Sequence, residues 1–177
     1  ALEKRATLNP TRFVAEYHSG DLDARPEDLL LQHFDVHTYV SSWGTAELVL
    51  RLPQEALVRD VVKPFLVAER VEVRQKLDTL ILTLHREAGD DPKAHEEAAG
   101  WLDALVPLRQ DLLDGDLRLL YLGWLAAAQA GHVDGDVVEP LVPAGLAEQT
   151  PALAALARPF RLDPDLVAAA AEQAPAR

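Results

Sequence analysis

The apolar residues of this chain repeat with two different periods, and this change of period constrains the fold more than any other feature. Between Ala46 and Leu52, apolar and polar side chains alternate along AELVLRLP, which is the pattern of a strand that buries one face. From Trp101 onward, apolar residues recur at helical spacing, which is typical of helices that bury one stripe. The sequence therefore predicts a sheet in the first half and helices in the second.

The first half is predicted to alternate strands with short helices. Strands are predicted at 11–18, 36–43 and 46–53 and on both sides of a turn at Leu77 and Asp78, with helices at 26–34 and 54–62. This order predicts an α+β fold whose antiparallel sheet has a ferredoxin-like, or split βαβ, layout with helices on one face.

The second half is predicted to be all helical. Residues 89–100 are acidic and bounded by glycines, and they are predicted to link a sheet region, 1–88, to a helical region, 101–177, that packs on or beside it. Helix boundaries are predicted at Pro107, Gly115, Gly131, Pro151 and Pro164.

The predicted helix between Gly115 and Gly131 is apolar on nearly every side, so it is predicted to lie at the centre of the helical region. Two interpretations of its aromatic residues stay open: Tyr121 and Trp124 belong to the packed core, or with Arg118 they line a groove for a ligand or partner. The core is the favoured interpretation. Arg118 is expected to pair with a nearby acid such as Asp114, and Gly123 is expected to let another element approach closely.

Three stretches of the chain resemble a family of uncharacterised bacterial proteins with a GDLRxLYLGWL-type helical segment. They are WGTAELVLRLP at 43–53, WLDALVPLRQDLLDGDLRLLYLGWLAAAQAG at 101–131 and LARPFRLDPDLVAAAAE at 156–172. The resemblance covers both halves of the chain, and it implies no activity, cofactor or catalytic residue. Members of that family begin with further sequence, which agrees with a chain that continues upstream of Ala1; a processed N-terminus is the alternative, and the sequence leaves both open.

The residues best suited to bind a metal ion lie in the first half. His33 and His37 are close in sequence, and His18 and Asp21 lie before them in a predicted strand end and loop. Imidazole and carboxylate groups bind zinc, and a bound metal can activate water for hydrolysis. A metal-assisted hydrolase that uses these residues is therefore an alternative function, although no spaced zinc motif supports it.

Basic residues of the first half, together with aromatic residues of a neighbouring strand, predict a second alternative, RNA binding by the sheet face. The aromatic residues are Tyr39 and Trp43, and the basic ones are Arg51, Arg59, Lys63, Arg70, Arg74 and Lys76. Acidic residues are interleaved with them, so a solvated, ion-paired surface is the favoured interpretation. RNA binding is the weaker alternative, because the net charge of −12 repels a phosphate backbone.

Composition and motifs exclude several other kinds of site. The absence of cysteine excludes disulfides, cysteine zinc sites and thiol catalysis, and it agrees with a cytoplasmic location. The sequence has no G-x-S-x-G elbow, glycine-rich phosphate loop or EF-hand spacing, and no apolar run long enough to span a membrane. We therefore expect no cofactor and no membrane partner.

A non-catalytic protein-interaction or structural module is the function that the sequence favours. No catalytic constellation is evident, whereas large aromatic residues on defined elements and an uneven acidic charge suit a protein partner. Self-association is also predicted, because an Ala- and Leu-rich helical half leaves apolar surface to cover. The pathway and the partner do not follow from the sequence.

Overall fold

A computed structural model describes residues 34–41, 44–87, 89, 93 and 100–175. In this part of the chain, strands β1 (Val36–Val40), β2 (Ala46–Pro53), β3 (Val71–Lys76) and β4 (Thr79–Arg86) form one antiparallel sheet in the order β1-β2-β4-β3. The helices are α1 (Arg59–Val62), α2 (Trp101–Leu105), α3 (Pro107–Leu113), α4 (Arg118–Gln129), α5 (Pro151–Phe160) and α6 (Pro164–Glu172). The predicted α+β class, an antiparallel sheet followed by helices, is confirmed.

Alternation along β2 and β4 gives the sheet one leucine-rich inner face. Leu48 and Leu50 of β2 lie opposite Leu84 and Leu82 of β4, and all four side chains are buried. They belong to the same core as the leucines of the helices. Each such burial stabilises the fold by about 2 kcal/mol, which makes this face the main contact between sheet and helices.

The outer face of the sheet carries ionisable residues around a small apolar centre. Val49 and Ile81 are buried there, and Phe34 packs against them. Glu47 of β2 and His85 of β4 are register partners beside this centre. The two faces therefore differ as the alternating pattern predicts.

The described strands pair as two adjacent hairpins. The turn between β3 and β4 lies at Leu77 and Asp78 as predicted, and Leu77 takes a positive φ of 55°. β2 is bonded to β1 on one side and to β4 on the other, and each pairing is antiparallel. Strands β2 and β3 are therefore parallel to each other, with β4 between them and α1 in the connection that joins them, which is the arrangement of a split βαβ unit. The strand predicted at 11–18 lies outside the described residues.

The helix predicted at 54–62 is divided into short pieces. A 3₁₀ turn, Gln54–Ala56, precedes α1, and a second one, Lys63–Phe65, follows it. The chain is extended at Leu57 and Val58, and the Leu57 side chain is buried in the core. Local spacing predicts the helical tendency of this segment but not the break that brings Leu57 inward.

Proline, glycine and polar caps set the helix boundaries in the second half. Pro107 begins α3 directly after α2, and Gly115 takes a φ of 85° in the turn before α4. Thr150 Oγ1 accepts a hydrogen bond at 3.3 Å from the amide three residues later. Asp163 Oδ1 accepts one at 2.9 Å from the amide two residues later. These local signals account for the accuracy of the predicted boundaries.

Helix α4 is buried on all sides, as its composition predicts, from Arg118 to Ala127. A Cβ atom at Gly123 would lie 3.0 Å from Leu84 Cδ2 and 3.2 Å from Val71 Cγ2. Glycine at this position therefore lets the backbone of α4 approach strands β3 and β4 directly, which is the close approach expected from the sequence.

The sheet and the helices share one hydrophobic core, and a buried cation also joins them. Arg86, at the end of β4, donates from Nε to the carbonyl of Pro159 in α5 at 2.8 Å and from Nη2 to the carbonyl of Gly44 at 3.0 Å. Of the predicted linker, 89–100, only residues 89, 93 and 100 are described. The boundaries 1–88, 89–100 and 101–177 therefore stay a prediction.

Candidate functional site

Tyr121 and Trp124 lie inside the core of the helical region. Both side chains are buried, and their rings are stacked with centroids 6.2 Å apart and an angle of 28° between the ring planes. The two rings therefore contribute packing area and do not form the floor of an open groove. Their polar atoms must find partners at the edge of the core.

The phenol of Tyr121 finds its partner in the segment between α4 and α5, residues 132–150, which we call the acidic loop. Tyr121 Oη donates a hydrogen bond to Glu139 Oε1 at 2.6 Å. Burial raises the pKa of Tyr121, and the Glu139 carboxylate raises this pKa further. The phenol therefore stays protonated at physiological pH and remains a donor to the loop.

Arg118 holds the other end of the acidic loop. Its side chain is only 2 % exposed, and its Nε and Nη2 donate to the carboxylate of Asp116. Its Nη1 donates to the carbonyls of Gly145 at 3.0 Å and Glu148 at 2.7 Å. Hydrogen bonding to Asp116 raises the pKa of Arg118, so the buried guanidinium stays charged and paired.

The expectation that Arg118 pairs with a nearby acid is confirmed, but the acid is Asp116 and not Asp114. The Asp114 carboxylate accepts a hydrogen bond from Gln110 Nε2 at 3.0 Å. Asp116 Oδ1 instead accepts the backbone amide of Arg118 at 3.0 Å, in addition to the guanidinium. Asp116 thus binds both the backbone and the side chain of Arg118 at the start of α4.

The acidic loop exposes apolar side chains although its backbone is held in place. Val137, Val138 and Leu141 are 50 %, 86 % and 91 % exposed, and we call these three residues the apolar loop surface. Within this stretch Glu139 accepts the phenol hydrogen bond and Pro140 is buried. The two anchored residues lie between the exposed pair Val137 and Val138 and the exposed Leu141, so the fold holds these apolar side chains toward solvent.

Acidic residues flank the apolar loop surface along the chain. The acidic loop contains four acidic residues and no lysine or arginine. Asp134 and Asp136, both exposed, directly precede the surface. A depression of about 560 Å³ reaches Pro143 and Ala144 of the loop, and its wall includes three aspartates as well as Arg118, whose charge is paired with Asp116. The site is thus an apolar patch in negative surroundings.

A second cluster of ionisable groups lies on the outer face of the sheet. Glu47 Oε2 is 3.2 Å from His85 Nδ1, and Glu47 Oε1 is 4.0 Å from His37 Nε2. Glu87 Oε1 lies 3.4 Å from His85 Nε2. The hydrogen bond to Glu47 raises the pKa of His85, whereas burial lowers the pKa of His37. The pKa values of these two histidines, which lie beside one carboxylate, are therefore shifted in opposite directions.

Of the predicted metal ligands, His37 alone lies in the described part of the chain. His18, Asp21 and His33 lie outside it, so their convergence stays a prediction. Among the residues that the structure describes, no group of three or more His, Cys, Asp or Glu side chains could hold a metal ion. The described neighbour of His37 is the carboxylate of Glu47, which pairs more closely with His85.

Two of the basic residues predicted to bind RNA are paired with carboxylates. Arg51 Nη2 lies 2.8 Å from Asp35 Oδ1, and Arg74 Nη2 lies 2.8 Å from Glu72 Oε2. These pairs agree with the ion-paired surface favoured from the sequence. Trp43 lies outside the described residues, and RNA binding stays a prediction.

Sequence reasoning identifies helix α4 but misses the loop that it anchors. The run VVEPLVP, 137–143, has no helical or strand period and therefore carries no pattern of secondary structure. An apolar run interrupted by prolines, in a segment otherwise typical of a loop, is the signal that could have revealed it. Glu139, the partner of Tyr121, gives no such signal.

No protein-family model, curated protein or solved structure matches this chain. In the part of the chain that the structure describes, no helix combines the length and the apolar character needed to cross a membrane.

Proposed function

We propose that the protein is a non-catalytic protein-interaction module that binds its partner through the apolar loop surface. The observation that carries this proposal is an anchored loop that exposes Val138 and Leu141 at 86 % and 91 %. Single exposed apolar side chains are ordinary on protein surfaces, whereas neighbouring ones on a fixed backbone are typical of binding sites.

The anchoring of the loop matters because it lowers the cost of binding. Each apolar side chain that a partner covers stabilises the complex by about 1.5–3 kcal/mol. A flexible loop would lose part of that gain as conformational entropy, but this loop is already held by Tyr121, Arg118 and the buried Pro140. A preorganised apolar surface is therefore suited to recognition.

In this proposal Tyr121, Trp124 and Arg118 support the site and do not line it. The phenol and the guanidinium are occupied by loop atoms, and the indole packs in the core. These buried groups are therefore assigned no catalytic role. The absence of cysteine agrees with a cytoplasmic setting for the interaction, which is part of the same proposal.

The test is the size of the complexes that the full chain forms in extracts of cells that make it naturally. An epitope-tagged chain is expected to elute above the monomer size, and the double variant Val138→Ser, Leu141→Ser is expected to elute as a monomer. The matched control is Leu77→Ser, because Leu77 is equally exposed, at 92 %, but lies at the β3–β4 turn. Unfolding measurements establish that all three chains are folded.

Elution of the unsubstituted chain as a monomer would overturn the proposal. The proposal would also be overturned if the double variant and the Leu77 control changed the elution size equally, because the loop would then contribute no more to binding than another exposed site. Self-association, the other partner predicted from the sequence, is recognised by a complex whose mass is a multiple of the chain's own mass and which persists with the purified protein.

A further inference from the structure

We infer that the partner segment that covers the apolar loop surface belongs to another protein and carries lysine or arginine beside an apolar side chain. This inference rests on the proposed function and adds the chemistry of the occupant. The observations that carry it are the sign and the placement of the charges around Val137, Val138 and Leu141.

The acidic loop, which carries this surface, has carboxylates and no lysine or arginine. Asp134 and Asp136 are exposed on its N-terminal side, and Glu139 lies between its exposed members. On the C-terminal side, Pro143 and Ala144 border the depression whose wall includes Asp111 and other aspartates. The guanidinium of Arg118 is buried and bound to Asp116 and to loop carbonyls, so it does not present a positive group to a partner.

An apolar patch with such a rim selects its partner by charge. Carboxylates at the rim attract a basic segment and raise its rate of association, while the apolar side chains supply most of the affinity. An acidic or uncharged segment would gain the same apolar contact and would lose the electrostatic attraction. The rim therefore favours a segment in which basic and apolar residues are neighbours.

The same charges disfavour a second copy of this chain. In a two-fold symmetric dimer the same patch is used twice, so the aspartates of one loop would face those of the other. The whole chain has a net charge of −12, and residues 89–177 contain 6 basic and 15 acidic side chains. Repulsion between like charges therefore opposes this pairing.

The test is photo-cross-linking of the full chain in the cells that make it. The photoreactive amino acid p-benzoylphenylalanine replaces Leu141 in one chain and the equally exposed Leu77 in a control chain. Adducts specific to position 141 are digested and identified by mass spectrometry. The expected adduct is a segment of another protein with a net positive charge.

The cross-linked segment is then made as a synthetic peptide, and its binding to the purified chain is measured by fluorescence anisotropy. We expect Leu141→Asp to weaken binding about tenfold or more. We expect Asp134→Asn with Asp136→Asn to weaken binding about threefold at low salt and to make it less salt-dependent. Leu77→Asp is expected to leave binding unchanged.

The outcomes separate this inference from the proposed function. An adduct with a second copy of this chain, or with an acidic or uncharged segment, overturns the inference and leaves the proposed function standing. A basic segment whose binding is lost in Leu141→Asp but insensitive to salt and to the Asp134 and Asp136 substitutions also overturns only the inference. No adduct beyond those of the Leu77 control overturns the proposed function and the inference together.

Discussion

Helix α4 contacts the rest of the protein in different ways on two opposite sides. At about 100° per residue, Gly123 lies about 150° around the helix from both Arg118 and Tyr121. On the Gly123 side the helix packs on Val71 and Leu84 of the sheet, a contact we call the apolar seam. On the other side the phenol and the guanidinium hold the acidic loop, a contact we call the polar seam.

The stability of the two seams depends on different physical quantities. The apolar seam depends on volume, because close-packed side chains lose contacts when an atom is removed and clash when one is added. The polar seam depends on direction and pairing, because a buried charge that loses its partner retains the cost of its desolvation. Substitutions of similar size should therefore have different consequences on the two sides.

The largest loss in the free energy of unfolding is expected for Arg118→Met, at the polar seam. Removing the guanidinium takes away the charge partner of the Asp116 carboxylate and a donor to the carbonyls of Gly145 and Glu148, so the free energy of unfolding should fall by about 3–5 kcal/mol. Urea unfolding measures the loss. The control is Arg59→Met at an exposed site, for which the change should be below about 0.5 kcal/mol. A loss below about 1 kcal/mol for Arg118→Met would show that the ion pair with Asp116 is not a main contribution to stability.

The next largest effect is expected at the apolar seam, for Leu84→Ala. The side chain is buried against α4, so its truncation should lower the free energy of unfolding by about 3 kcal/mol through lost burial and a cavity. The same measurement on Leu77→Ala, at an exposed turn, should show a change within about 0.5 kcal/mol. Equal losses at the two positions would refute the assignment of Leu84 to the core.

A smaller and more local effect is expected for Tyr121→Phe. The substitution keeps the ring in the core and removes its hydrogen bond to Glu139, so the free energy of unfolding should fall by about 1–2 kcal/mol. Hydrogen exchange should accelerate most at the amides of residues 137–142, because they lose an anchor. Amides in β2 and β4 serve as the internal control. Uniform acceleration across the chain would show that the phenol does not act locally on the loop.

Gly123→Ala tests the apolar seam by adding an atom. Alanine favours helix by about 1 kcal/mol over glycine. The added Cβ would lie 3.0 Å from Leu84, and overpacking of this kind costs about 1–3 kcal/mol, so the net result should be a loss of about 1 kcal/mol. In a Leu84→Ala background the clash with Leu84 is relieved, and the same substitution should stabilise the protein. Identical effects in the two backgrounds would mean that the contact does not limit the helix.

The smallest loss in the free energy of unfolding is expected for Glu47→Gln, on the outer face of the sheet. The pKa of His85 is raised in the folded protein, so its contribution to stability is full below about pH 6.5 and is lost as the pH rises through the folded pKa. His37 has the opposite sign: its pKa is lowered, so its contribution is present above about pH 6.5 and is lost as the pH falls through the folded pKa.

Glu47→Gln should therefore cost a few tenths of a kcal/mol at about pH 6 and less at about pH 8. Histidine NMR titrations of the two chains check the cause, because the pKa of His85 should fall in the variant. A variant whose His85 titrates as before would show that Glu47 does not set that pKa.

The sequence predicts strand burial and helix boundaries better than it predicts the polar seam, for a physical reason. Burial of β2 follows from alternation among neighbouring residues, and the break at Pro107 follows from the chemistry of proline. The acceptors of Arg118 are backbone carbonyls at positions 145 and 148, 27 and 30 residues along the chain. Every residue has a carbonyl, so no side-chain pattern indicates which one a buried cation will reach.

The same limit applies to the candidate site. Periodicity places Tyr121 and Trp124 in a buried helix, and their burial supports that interpretation. Periodicity does not identify Val138 and Leu141, because their exposure depends on where the fold holds the backbone of residues 139 and 140. A binding surface made by an irregular loop is a property of tertiary contacts, which local sequence spacing does not encode.

The buried guanidinium of Arg86 has a consequence for how the chain unfolds. It belongs to a strand of the first half, and its carbonyl acceptors lie in α5 and at Gly44 before β2. Separating the halves would leave this cation without the acceptor in α5 and the leucine face without its cover. The two regions that differ most in sequence are therefore expected to melt in a single cooperative transition.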